Sequence, residues 1–275
     1  MRTPTILGQR LTAIDHCEGI EPPKMLADET GPIWQFWAQG FENAPALVTR
    51  CVESVRTHSG GRDHVLLTAE TVSDYLDLPD HILDRREFWG WTKFSNLLRL
   101  MLLDKYGGTW IDATVLLGGP LKAVTDERDF FVFGWRNPDP RLLANWFMHA
   151  TRGHPLISAC RRAYERYWTT APEPGPYYMF HFIFEALLIS SSELQAYWRR
   201  VPFRDASLAH HLQVMLDRPF DENVFRQIMA RCAVQKLTHK TDQPPDVMDR
   251  TFRSVILETP AIAKGAPTVP DPTSR

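Results

Sequence analysis

Long apolar runs are missing from these 275 residues. The strongest, Leu97 to Leu103, is interrupted by Arg99 and falls far short of the roughly 20 residues a membrane-spanning helix needs. Met1 to Gly19 carries no long apolar core, so no secretory leader is expected. Charge of one sign is not in excess either: 31 Lys and Arg stand against 33 Asp and Glu, which excludes a general nucleic-acid binder. The four cysteines, Cys17, Cys51, Cys160 and Cys232, are scattered, with no Cys-x-x-Cys spacing. They read as reduced or buried thiols of a cytoplasmic protein, not as a disulfide frame or a zinc site. No P-loop, Gly-x-Gly-x-x-Gly or Gly-x-Ser-x-Gly occurs. ATPases, dinucleotide dehydrogenases and α/β-hydrolases therefore lack their phosphate cradle or nucleophile elbow.

What is present suits one sizeable soluble domain. Hydrophobic residues make up 44% and charged residues 23%, enough for a substantial core. Residues 1–31 read as a variable N-terminal extension, 32–240 as the functional domain, and 241–275 as a C-terminal segment ending in a loose tail. From Ile33 a buried strand (Ile33 to Trp37), a helical stripe (Leu47, Val48, Cys51, Val52, Val55) and a second strand (His64 to Leu67) alternate. This order predicts an α/β fold with a largely parallel sheet. Thr92 to Tyr106 is the clearest helix, with Gly107-Gly108 placed as its C-terminal cap. Thr109 to Leu117 then reads as one β-branched, apolar strand. Strands are expected at Phe130 to Trp135 and Asn145 to Ala150, and helices at 155–168, 178–188 and 192–200.

Two charges sit where none is expected. Arg99 is surrounded by apolar residues on its helix, and Asp112 lies among Trp, Ile, Val and Leu. A lone buried charge costs several kcal/mol, and the Gly-Gly turn folds the strand back beside the helix, so the two can pair. Spacing alone leaves two readings open: a structural ion pair, or a phosphate and metal site at the strand's carboxyl end, where open α/β sheets bind ligands.

Three segments carry a family resemblance: Trp34-Gln35-Phe36-Trp37-Ala38-Gln39-Gly40, Phe94-Ser95-Asn96-Leu97-Leu98-Arg99, and Tyr106-Gly107-Gly108-Thr109-Trp110-Ile111-Asp112-Ala113-Thr114. With Asn145-Trp146-Phe147, Gly153-His154-Pro155, Tyr178 to His181 and Lys236 to Lys240, they resemble the capsular polysaccharide synthesis glycosyltransferases over roughly Pro32 to Lys240. That family is kin to retaining sugar transferases of GT-A type. The resemblance implies a GT-A-like Rossmann-type sheet flanked by helices, with a helical C-terminal lid. It further implies transfer of a hexosyl unit, with retention, from a nucleotide-sugar donor to an oligo- or polysaccharide acceptor, in the cytoplasm or at the inner face of a membrane.

By the same resemblance, Trp37 stacks on the donor base, Gln35 belongs to the donor-binding set, and Asn96 and Arg99 face the donor sugar and its phosphate. Asp112 is the first acid of an Asp-x-Asp motif, and Asp112 and Arg99 are the catalytic candidates. A divalent cation, Mn²⁺ or Mg²⁺, is implied as a cofactor that binds with the donor. Two departures bear on this. Asn96 stands where the wider family usually has Asp, and Thr114 replaces the second acid of the motif. A hydroxyl is a far poorer ligand for a hard cation than a carboxylate. Lys236, His239 and Lys240 are therefore candidates to neutralise the leaving diphosphate, and Asn145 to bond the donor sugar. The departures also favour an alternative, a catalytically silent nucleotide-sugar or glycan-binding module. His181 and Glu185, one helical turn apart, lack a third ligand and read as core packing; His210-His211 reads as a loop or helix start near the site.

Overall fold

The run Ile33-Trp34-Gln35-Phe36 does not alternate cleanly between apolar and polar, the pattern of a strand covered on both faces. In the computed structural model, which describes residues 6–21, 30–125, 128–136, 139, 141–241 and 250–258, it forms β1 (Ile33–Phe36), buried throughout. β1 runs parallel to both of its neighbours, β2 (His64–Leu67) and β3 (Gly108–Ile111). β3 pairs antiparallel with β6 (Leu143–Ala150), which pairs antiparallel with β5 (Phe130–Gly134). In the order β2-β1-β3-β6-β5, β6 alone opposes the other four strands. The expected α/β class and mostly parallel sheet are thus present.

Helices cover both faces. α2 (Ala46–His58) buries the predicted stripe of Leu47, Val48, Cys51, Val52 and Val55. Short α3 (Asp80–Leu83) and α4 (Arg86–Trp89) lead into α5 (Trp91–Tyr106). α5 packs with α7 (Pro155–Thr170) and α8 (Met179–Ser190) in one large core, which also takes Leu194 of α9 (Ser192–Arg199). α6 (Lys122–Thr125) precedes β5. Gly107 ends α5 at φ 68°, its N–H bonded to the Leu103 carbonyl at 2.9 Å. A Cβ on Gly108 (φ 103°) would stand 2.1 Å from the Pro32 carbonyl oxygen. The first glycine caps the helix, and the second lets β3 approach the chain entering β1.

The structure differs from the expectation in three places. Thr109 to Leu117 is not one strand. β3 ends at Ile111, residues 112–114 turn, and β4 (Val115–Leu117) leaves the main sheet to pair antiparallel with β7 (Val234–Lys236). The Asp112 amide bonds the Trp146 carbonyl at 2.8 Å while its carbonyl accepts from Val115 N at 2.9 Å, which reverses the chain. Aspartate is at home in such turns.

Part of the N-terminal stretch belongs to the core. α1 (Ile6–Cys17) buries Ala13 and Cys17, and the Cys17 thiol donates to the Ile183 carbonyl of α8 at 3.5 Å. The C-terminal wall of the cleft is likewise more than a helical lid. α10 (His211–Met215), α11 (Glu222–Arg231) and α12 (Phe252–Glu258) pack in one cluster, but the cleft-lining segment follows β7, held by the β4 ladder. The expected tail lies outside the described residues. Among those described, no helix is long and apolar enough to cross a membrane.

Candidate functional site

At the carboxyl ends of β1 and β3 the chain opens a cleft of about 700 Å³. Trp37 to Gln39 line it after β1, and Asp112 to Thr114 line it after β3. α5 contributes Trp91, Thr92, Ser95, Asn96 and Arg99, β6 contributes Ala144 to Trp146, and residues 236–240 close the far side. This is the crevice in which open α/β sheets take their ligands.

Arg99 and Asp112 meet, as their apolar settings require. An Arg99 Nη lies 3.4 Å from Asp112 Oδ1. The guanidinium is only 3% exposed; it sits 4.9 Å from the centroid of the Trp110 ring and donates to the Ser95 carbonyl, the Ser95 hydroxyl and the Asn145 carbonyl. Burial depresses its pKa, and Asp112 is the chief group opposing that shift. The Asp112 carboxylate, about a quarter exposed, also accepts from Trp110 Nε1 at 2.9 Å and lies 3.5 Å from the Lys236 ammonium. That ammonium donates to the Thr114 hydroxyl as well.

Asn145 and Asn96 share one hydrogen bond, Nδ2 to Oδ1 at 2.9 Å, and both line the cleft. Trp37 is half-buried and lines the cleft, packed on Val48, Val52 and Ala113; its ring stands at 87° to that of His239 with centroids 5.4 Å apart. Gln35 does not reach the cleft. It is fully buried, its amide donating to the Asp112 carbonyl at 3.4 Å and its oxygen 2.8 Å from His64 Nε2. The difference is one of depth: Gln35 lies within β1, buried beneath the Asp112 turn, whereas Trp37 lies just beyond the strand's carboxyl end, where the cleft opens.

The far wall holds residues that sequence reasoning missed. Trp135, Arg141, Tyr177 and Tyr178 line it; the Arg141 guanidinium lies 3.9 Å from the Trp135 ring centroid and pairs with Asp139 at 2.6 Å. Trp135, Arg141 and Tyr177 come from loops where no motif spacing marks them, and Tyr178 lies in a segment that carried the resemblance without a site role. His181 also faces the cleft, contrary to its reading as core packing, and its Nδ1 has no partner among the described residues. Burial above all, with Arg141 and Arg99 nearby, holds its pKa down to about 3. His210 lines the cleft too, its Nδ1 3.1 Å from Gln213 Oε1.

These residues fit a divalent cation poorly. Among the described residues, no group of three or more His, Cys, Asp or Glu is placed to hold a metal. Asp112, the one carboxylate among the described lining residues, faces two cations, and the Lys236 ammonium bridges Asp112 and Thr114, the pair that would bind the ion. Like unit charges about 4 Å apart repel by about 4 kcal/mol at an effective dielectric near 20.

Comparison with known proteins agrees with the resemblance. The chain is 28% identical over 235 residues to glycosyltransferase afumC of Aspergillus fumigatus, covering 74% of this chain and 57% of that protein. It is 28% identical over 160 residues to O-glycosyltransferase braB of Annulohypoxylon truncatum, covering 50% of this chain and 38% of that protein. The chain thus spans little more than half the length of the first and less than half of the second. Among solved structures it is similar to PaToxG glycosyltransferase at 13% identity, with a TM-score of 0.43 over 90% of this chain and 93% of that one. The model of the capsular polysaccharide synthesis protein family matches residues 12–255, nearly the whole chain, and the protein belongs to that family.

Proposed function

We propose that this protein is a glycosyltransferase that moves a hexosyl unit from a nucleotide-sugar donor to a glycan acceptor of a surface polysaccharide, with retention at the anomeric carbon. The observation that carries the reading is the charge of the cleft. Its described lining holds the cations Arg99, Arg141, Lys236 and Lys240 against the single acid Asp112, in a chain whose formal net charge is −2. A concave, positive crevice with aromatic walls suits a nucleoside diphosphate linked to a sugar.

In this reading Trp37 offers its ring to the base, and Lys236 and Arg99 face the diphosphate. Asp112 fixes both cations and so sets their spacing. The Asn96–Asn145 amide pair faces the sugar, and Trp135, Tyr177 and Tyr178 form an acceptor platform, because planar rings pack against sugar faces. Catalysis of this kind rests on preorganised charge where the leaving group becomes negative. His181, neutral through burial, offers a hydrogen bond to an acceptor hydroxyl without adding charge.

The names of both fungal relatives support the activity class. The test is a thermal-shift panel of nucleotide sugars, followed by a turnover assay of the best binder. A donor at about a hundred times its dissociation constant adds about 2.7 kcal/mol of stability, and release of the nucleoside diphosphate then separates an enzyme from a silent binding module. No stabilisation by any nucleotide sugar would refute the proposal.

A further inference from the structure

The Lys236 ammonium does not hang into the cleft from a mobile chain. Lys236 lies on β7, in register with Val115 of β4, one residue beyond the Asp112–Thr114 turn. The next residue is tied down too: Leu237 N donates to the Thr114 carbonyl at 2.8 Å. Just beyond Leu237, the buried Arg253 donates to the carbonyls of Thr238 and Lys240 at 3.0 and 3.1 Å while pairing with Asp217 at 2.6 Å. The cation is therefore delivered to its place by paired backbone on one side and a pinned rim on the other.

The seat it takes lies between Asp112 Oδ2, at 3.5 Å, and the Thr114 hydroxyl. Those are the two oxygen-bearing side chains of the turn after β3, the position from which a carboxylate pair would hold a metal ion. An ammonium carries three N–H donors. One is donated to the Thr114 hydroxyl and the charge lies at ion-pair distance from Asp112, while Lys236 lines the cleft with donors to spare.

Resting on the donor-site reading above, we infer that the Lys236 ammonium occupies the metal position and that this protein binds its donor diphosphate without a divalent cation. In the transfer, the anomeric C–O bond to the diphosphate breaks with its electron pair on the departing oxygen. The acceptor oxygen forms the new bond to the anomeric carbon, and its proton ends on the released diphosphate. Lys236 stabilises the charge on the departing group and keeps its own proton. A point charge on a lysine serves this purpose because a phosphate needs compensating charge more than a fixed coordination geometry.

The inference is tested on the full chain with UDP and GDP as probes, titrated calorimetrically in chelator and in saturating Mn²⁺, and with Mn²⁺ alone. Expected is that one diphosphate binds the wild-type protein equally, within about two-fold, in either condition, and that Mn²⁺ alone does not bind. Lys236→Met should weaken the diphosphate about ten-fold or more in chelator. Part of that loss should return with Mn²⁺, since Asp112 and Thr114 are then free to hold it. A merely structural lysine would show no such exchange of ammonium for metal. Lys236→Arg, which keeps the charge, should retain chelator-insensitive binding; circular dichroism establishes that each variant is folded. The wild-type titrations stand even if both variants fail to fold. Diphosphate binding that needs Mn²⁺ in the wild type, or that survives Lys236→Met undiminished in chelator, overturns the inference and leaves the proposed function standing. Absence of binding by both UDP and GDP, with and without Mn²⁺, removes the donor-site reading and the inference with it.

Discussion

Among the described residues, two arginines of equal burial each pair with an aspartate, and their surroundings differ. Arg253 and Arg99 are each 3% exposed. Arg253 meets Asp217 with two nitrogens, at 2.6 and 3.3 Å, and spends its other donors on the carbonyls of Thr238 and Lys240. That pair is closed: each charge is answered and the result is a fixed rim. Arg99 meets Asp112 through one nitrogen at 3.4 Å, while Asp112 is shared with Trp110 and Lys236. This second group carries one cation too many for its single acid, and it faces a cleft. A buried ion pair thus says little about purpose by itself; the uncompensated charge beside it separates a tie from a binding site.

The largest expected effect separates the pairs directly. Arg253→Met should lower the unfolding free energy by about 3–5 kcal/mol, because it strands the partly buried Asp217 carboxylate, and Arg99→Met by less, because Asp112 keeps Lys236 and Trp110; urea titration measures both. The stabilisation given by the bound donor should survive in Arg253→Met and vanish in Arg99→Met and in the near-isosteric Asp112→Asn. Equal donor responses in all three would erase the contrast.

Closed, purely structural packing also sets the pH response. His149 and His154, each 1% exposed, have pKa values lowered to about 4, chiefly by burial. The unfolded chain protonates these rings near pH 6.5, whereas the folded protein resists until pH nears 4. Their contribution is thus complete above about pH 6.5 and lost as pH falls towards 4. These two rings should contribute a drop of about 3 kcal/mol between pH 7 and pH 5 in urea unfolding, with the depressed His181 and His64 adding to it in the same direction; a flat profile would contradict the burial assigned to them.

Smaller effects sharpen the boundary of the site. Trp37→Ala should raise the donor dissociation constant about ten-fold or more, since stacking on an aromatic is worth about 1–3 kcal/mol per base. Gln35→Leu, just beneath the same turn, should cost about 1 kcal/mol of stability by leaving the His64 donor unpaired, with donor affinity held within about two-fold. A large loss of affinity in Gln35→Leu would return that residue to the site.

Much of this was legible in the chain because it is local. The stripe of α2, the Gly107 cap and the misplaced charges of Arg99 and Asp112 each follow from neighbours in sequence. The remainder depends on contacts distant along the chain. The bond between Lys236 and Thr114 joins residues 122 positions apart, and the pairing of β4 with β7 breaks what reads locally as one continuous strand. Gln35 was misplaced because the sequence does not mark where β1 ends: one pleat short of Trp37, it is covered by the Asp112 turn, a contact 77 positions away. The far wall was illegible for another reason: Trp135, Arg141 and Tyr177 sit in loops, where no periodicity reports direction.

The central claim is that the open cluster, not the closed pair, receives a diphosphate. A crystal structure of the protein soaked with its most stabilising nucleotide sugar tests this most directly. The account predicts phosphate oxygens within hydrogen-bond distance of the Lys236 ammonium and the Arg99 guanidinium, with the base against Trp37. A donor bound elsewhere, or one in the cleft whose diphosphate avoids Lys236 and Arg99, would contradict it.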